Sequence, residues 1–202
     1  TYNTAVGSSA GNALSTGTDN TVVGGVAGDA LTTGGDNVVV GAGALGTDTQ
    51  GSGSVAIGRV ALAAQNFTTA VTSFNTAVGF EAGNDITTGT QNTLLGGVAG
   101  DALTDADFNV AIGTSALGSD TLGSYSVAVG RRALLEQNFT TATNTFNTAV
   151  GASAGQNVTT GVQNTVIGGT AGISLPDAEY NVSVGFQSLY TNTVGSRSVA
   201  IG

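Results

Sequence analysis

The sequence predicts an all-β chain wound as a parallel β-solenoid or β-roll. Two patterns carry that reading. A short β-branched run ending in glycine recurs at Gly7, Gly24, Gly41, Gly58, Gly79, Gly96, Gly113, Gly130, Gly151, Gly168, Gly185 and Gly202. Its spacing is 17, 17, 17 and 21 residues, then the same again, so a 17-residue coil sits inside a 72-residue superperiod. Longer identities hold the phase: Gly-Val-Ala-Gly-Asp-Ala-Leu stands at Gly25–Leu31 and Gly97–Leu103, and Gln-Asn-Phe-Thr-Thr-Ala at Gln65–Ala70 and Gln137–Ala142.

Each column of the repeat has a physical meaning. The residue before the glycine is always aliphatic, from Val6 and Val23 to Ile201. The one before that is Ala, Val or Leu except at Ser183, and the third is Thr or Val. Neighbouring strand residues point to opposite faces, so this strand is apolar on both. One face fills the lumen of the coil. The other needs a cover, most simply another chain, which predicts an oligomer.

Four places before the glycine stands Asn, at Asn3, Asn20, Asn37, Asn75, Asn92, Asn109, Asn147, Asn164 and Asn181, replaced by Ser at Ser54, Ser126 and Ser198. Coils stacked ~4.8 Å apart place these amides in register as a structural ladder. Three places after the glycine comes Ala, with Ser188 the exception, which suits a tight corner. The repeat glycine supplies a bend, and a second glycine (Gly17, Gly34, Gly51, Gly89, Gly123, Gly161, Gly195) marks the return turn. The 21-residue coils, Arg59–Gly79 and Arg131–Gly151, carry four extra residues each. Ala61–Asn66 and Arg131–Asn138 lack Gly and Pro, predicting one helical turn and an outward bulge there.

Composition narrows the function. The 202 residues include no His and no Cys, and the four cations are all arginine. Ser-His, Ser-Lys and Cys-His nucleophiles, lysine Schiff bases and His/Cys zinc sites are therefore excluded, and only carboxylate chemistry remains. A net charge of −9 argues against nucleic acid. The longest apolar run, Val38–Gly46, is too short to span a membrane. The reading is of no enzyme and no cofactor. There is no initiator Met, and the chain reads as a mature segment or a piece of a longer polypeptide.

The segments Gly53–Gly58, Ser126–Gly130 and Ser198–Gly202 resemble the head repeat of trimeric autotransporter adhesins, the YadA-like head. The Asn-Thr-Ala-Val-Gly-x-x-Ala-Gly version is similar to repeats of bacterial and phage tail-fibre-domain proteins. The resemblance runs the length of the chain. It implies a left-handed β-roll, three chains side by side, and an extracellular adhesive or structural rod with surface glycans or a host receptor as further partners. The 17-residue and 21-residue coils depart from that pattern. The chain begins and ends inside the repeat, which predicts a longer fibre or end-to-end stacking.

Several candidate sites stand beside plainer readings of the same residues. Gly41–Gly46 matches G-x-G-x-x-G, but no helix or ribose-binding acid follows, and Gly41 already belongs to the repeat. Asn66-Phe67-Thr68 and Asn138-Phe139-Thr140 are glycosylation sequons at equivalent places in the long coils. Asn157 heads a weaker one, and Asn181 heads one inside the ladder. The long coils also carry Arg59, Phe67 and Phe74, then Arg131, Arg132, Phe139 and Phe146, residue types suited to subunit or receptor contacts. Asp19 and Asp36 occupy equivalent positions and read as solvated surface rather than a Ca²⁺ or glycosidase pair. Ser15, Thr32, Thr49, Thr87, Thr104, Thr121, Thr159, Pro176 and Thr193 form a mostly threonine column like that of ice-binding solenoids, the alternative from another class.

Overall fold

A computed structural model describes residues 2–193 and 195–202. In chain order the strands are β1 (Thr4–Val6), β2 (Thr21–Val23), β3 (Val38–Val40), β4 (Gly51–Ser52), β5 (Val55–Ile57), β6 (Val71–Thr72), β7 (Thr76–Val78) and β8 (Thr93–Leu95). Then follow β9 (Val110–Ile112), β10 (Gly123–Ser124), β11 (Val127–Val129), β12 (Thr143–Asn144), β13 (Thr148–Val150), β14 (Thr165–Ile167), β15 (Val182–Val184) and β16 (Val199–Ile201). The twelve three-residue strands form one sheet, β1-β2-β3-β5-β7-β8-β9-β11-β13-β14-β15-β16, while β4 pairs with β6 and β10 with β12. Every pairing is parallel and follows the repeat, as in Val22↔Val39 and Ala56↔Ala77. The chain is a parallel β-solenoid of about twelve turns. At ~4.8 Å per step the sheet is roughly 53 Å long.

Each strand of the twelve-stranded sheet stops at a repeat glycine, with φ between 126° at Gly185 and 148° at Gly79, where a side chain is strained. Space is equally restrictive. A methyl group on Gly113 would lie 2.7 Å from the carbonyl oxygen of Gly130. Glycine therefore recurs here because successive backbones touch along this edge.

The lumen is filled in two interchangeable ways. The fourth residue after each repeat glycine has left-handed backbone and is either Gly or Leu. Where it is Gly, the seventh residue is aliphatic and fills the space: Gly83 with Ile86, Gly100 with Leu103, Gly172 with Leu175. A methyl on Gly100 would come within 2.9 Å of Leu103 Cδ1. Where it is Leu, as at Leu45, Leu62, Leu117 and Leu134, the seventh residue is polar: Asp48, Gln65, Asp120 and Gln137. All eight of these last residues are buried. The lumen holds one large aliphatic side chain per coil between these two positions, and the exchange leaves a polar group inside.

The long coils correct one expectation. No helix occurs among the described residues. Residues 59–64 and 131–136 make the same turns as their counterparts in the 17-residue coils. The chain departs from the common path only after Gln65 and Gln137. It forms the exposed loops 68–70 and 140–142, then β6 and β12, which add to the preceding coil. Propensity allowed a helical turn over 61–66, but the required corner places Val60 and Leu62 at positive φ, which no right-handed turn contains.

Candidate functional site

The exterior of the twelve-stranded sheet is an aliphatic face open to solvent. In β2 to β15 of this sheet the central residue is buried and both flanking residues are half-buried or exposed. The flanking columns contain only Thr, Val, Ile and Leu: Thr21 and Val23, Val38 and Val40, Val110 and Ile112, Thr165 and Ile167. No charged side chain stands in either column along the whole sheet, although the chain carries −9 overall. Leu95 is 43 % exposed and Ile167 39 %. Burying such columns is worth roughly 25 cal/mol per Å² of apolar surface, which drives association wherever a complementary face exists.

Beneath the sheet runs the amide ladder. Asn20 Nδ2 donates to Asn3 Oδ1 at 3.1 Å and to the Gly34 carbonyl at 2.9 Å, and the Asn20 backbone N–H also donates to Asn3 Oδ1. Backbone partners thus fix which end of each amide is oxygen. Ser54 and Ser126 interrupt the ladder for a reason. Their small side chains admit Gln65 and Gln137, which continue the chain of amides. Asn181 Nδ2 donates to Asn164 Oδ1, Asn164 Nδ2 to Asn147 Oδ1, and Asn147 Nδ2 to Gln137 Oε1 at 2.9 Å. Gln137 Nε2 donates to Asp120 Oδ2 at 2.6 Å and to Ser126 Oγ at 2.8 Å. Asn92, Asn75, Gln65 and Asp48 repeat this arrangement one superperiod earlier.

The runs ending in Gln137 and Gln65 therefore point at a buried carboxylate with no cation beside it, whereas the Asn37–Asn20–Asn3 run ends on the Gly17 carbonyl. Asp120 Oδ1 accepts the backbone N–H groups of Gly123 and Phe139. Burial pushes the Asp120 carboxyl above its ordinary 3.8, outweighing the lowering by those N–H bonds and by Gln137. Head-to-tail amides polarise one another, and the charged terminus strengthens the nearest bond most. Among the described residues no buried side-chain nitrogen or oxygen lacks a partner. The module is built to hold coils together, since it is closed to solvent and every member is satisfied within the lumen.

The residues singled out from sequence fall in several places. Arg59 lies over the Phe80 ring at 5.4 Å and 3.8 Å from Glu81, while Arg131 and Arg132 are exposed. Phe67 and Phe139 are buried, and Phe74 and Phe146 stand exposed in the corner column five places before the glycine. The expected Arg–Phe grouping is thus divided between different edges. Asn66, Asn138 and Asn157 are exposed and Asn181 is buried. Asp19 and Asp36 sit at positive φ in the same corner column. In the threonine column, Thr32 Oγ1 donates to the Thr49 carbonyl at 2.8 Å and Thr104 Oγ1 to that of Thr121 at 3.0 Å. These hydroxyls are spent on the coil stack.

That corner column also carries a feature the sequence reading missed. Phe108, Tyr125 and Phe146 stack with centroid separations of 4.7 and 5.3 Å, and Arg197 covers Tyr180. All five have positive φ, which is costly for bulky side chains. The signal was available, because these aromatics share one column at the repeat spacing. Among the described residues there is no cavity and no cluster of three or more metal-binding side chains. No helix there is long and apolar enough to cross a membrane.

No family model, curated protein or solved structure matches the chain.

Proposed function

We propose that the chain is a structural and adhesive segment of an extracellular homotrimeric fibre on a bacterial surface. The observation that supports it most is the uncharged aliphatic exterior of the twelve-stranded sheet. A face that repeats at the coil pitch is matched along its whole length by another copy with the same pitch. The number three, the left-handed winding and the adhesive role rest on the resemblance to YadA-like head repeats. Under this reading the chain catalyses nothing and needs no cofactor. A phage tail-fibre segment for host attachment uses the same geometry and differs only in what carries the rod. The ice-binding alternative is less well supported, because the threonine hydroxyls donate to neighbouring coils instead of facing solvent free.

The chain has no cysteine, so single-cysteine variants give a clean test. Val129→Cys, on the sheet exterior, is expected to form disulfide-linked copies on mild oxidation at high dilution. Gln156→Cys, on a turn outside the sheet, is the control and should stay unlinked. Equal, slow linkage of both would remove the support for a face-to-face fibre.

A further inference from the structure

We propose that Asn66 and Asn138 are N-glycosylation acceptors in the folded protein, taking a sugar from a pyrophosphate-linked donor. The chain holds four Asn-x-Ser/Thr triplets, headed by Asn66, Asn138, Asn157 and Asn181. The structure separates them. Transfer requires an accessible amide and an accessible hydroxyl two residues on, presented together to an enzyme. In Asn66-Phe67-Thr68 the Asn and Thr are exposed and the Phe between them is buried, and Asn138-Phe139-Thr140 repeats the pattern. Phe67 N–H is tied to Asp48 Oδ1 at 3.0 Å and Phe139 N–H to Asp120 Oδ1 at 2.9 Å. The buried carboxylate thus anchors the middle of each triplet and turns its two ends outward.

The polar groups needed for transfer are free. Asn138 Oδ1 accepts from Thr121 Oγ1 at 3.3 Å, while its Nδ2 has no protein acceptor among the described residues. The Thr68 and Thr140 hydroxyls likewise bond to nothing in the protein there, and each opens a fully exposed loop. The other triplets fail on these grounds. Thr159 Oγ1 is engaged by the Pro176 carbonyl at 3.0 Å and by Asp177 Oδ1 at 2.9 Å. Asn181 is buried in the ladder, and Ser183 Oγ is bound to Ser188.

In the transfer, a bond forms between Asn Nδ2 and the anomeric carbon as the bond from that carbon to the phosphate oxygen breaks. The pyrophosphate group leaves with the electron pair, and the amide gives one proton to the transferase. Both acceptors lie on the return segment, outside the twelve-stranded sheet, so a sugar there leaves the aliphatic face clear. This inference does not depend on the fibre reading.

Site-resolved mass spectrometry of the chain isolated from the cells that make it is the test. Sugar is expected at Asn66 and Asn138 and not at Asn157 or Asn181. Full absence at both long-coil sites would overturn the proposal, as would modification of Asn157 to the same extent. Asn66→Gln and Asn138→Gln should each remove one glycan, and the pair should remove both. Supplying a nucleotide-linked sugar with a soluble transferase, or a lipid-linked one with a membrane transferase, distinguishes the donor. The folded chain accepts two sugars from the competent system, whereas acceptance only after unfolding contradicts the role assigned to the fold.

Discussion

Gln137 Nε2 donates to Asp120 Oδ2 at 2.6 Å across a coil boundary, with both side chains wholly buried. The contact joins a two-position exchange in one coil to a four-residue insertion in the next. Leu117 takes the lumen space, Asp120 follows, and Gln137 arrives to satisfy it. Gln65 and Asp48 make the same contact one superperiod earlier at the same distance.

Removing the amide should therefore be costly. Gln137→Ala leaves Asp120 Oδ2 buried without its amide donor, at about 1–3 kcal/mol or more for a charged group, and takes from Asn147 Nδ2 one of its two acceptors, the Gly161 carbonyl remaining. A loss of about 3 kcal/mol in urea denaturation is expected, and Gln65→Ala should match it. A change below about 1 kcal/mol in both would show that the amide chain contributes little.

The lumen exchange predicts non-additivity. Asp120→Leu alone overfills the coil against Leu117, and Leu117→Gly alone empties it. The double variant restores the packing seen at Gly100 and Leu103, with a favourable coupling of about 1–2 kcal/mol in a double-mutant cycle. It should remain below the parent, because the Gly123 and Phe139 N–H groups lose their acceptor. Simple additivity would mean the two positions do not share one space.

The glycine column gives a sharp contrast. Gly113→Ala places a methyl 2.7 Å from the Gly130 carbonyl at φ 128°, and thermal melting should show a loss of several kcal/mol, about 3 or more. Gly97 has nothing within 4 Å and no left-handed φ. Gly97→Ala is expected to be neutral or to stabilise by about 0.4–1 kcal/mol.

Acidity should strengthen the coil around Asp120. Its carboxyl is raised by burial, and the groups facing it are the uncharged N–H groups of Phe139, Gly123 and Thr121 and the Gln137 amide. The folded chain therefore binds this proton more tightly than the unfolded chain does. Stability gained from Asp120 grows as pH falls through its raised value and is complete below the ordinary 3.8. Asp101, also raised mainly by burial, adds the same sign, and exposed Asp177, lowered by Thr160 and Thr159, opposes it. Denaturation midpoints for the parent and Asp120→Asn between pH 7 and pH 4 should show a flatter profile in the variant. Parallel profiles would contradict the assignment.

Much of this fold was legible because the repeat exposes each column twelve times. The glycine phase and the Asn ladder each depend on a single column read in one register, and both appear in the parallel stack. What was missed depends on pairs. Gly100 and Leu103 exchange with Leu117 and Asp120, a covariation that is invisible when columns are read singly. Ser54 and Ser126 replace Asn because the Gln65 and Gln137 amides, in the 21-residue coils that follow, stand beside them. The long-coil aromatics were grouped by sequence proximity, yet Phe67 is drawn inward while Phe74 stays on a corner. Segment distance is a poor guide in a solenoid, where a neighbour is one coil away.

In the proposed fibre, copies of this chain cover the aliphatic sheet exterior. The most direct measurement is the native mass of the chain by light scattering, against the single-chain mass of 19.5 kDa. The account predicts three chains, or heavier species in multiples of three. A stable monomer at high concentration, with that face open to water, would contradict it.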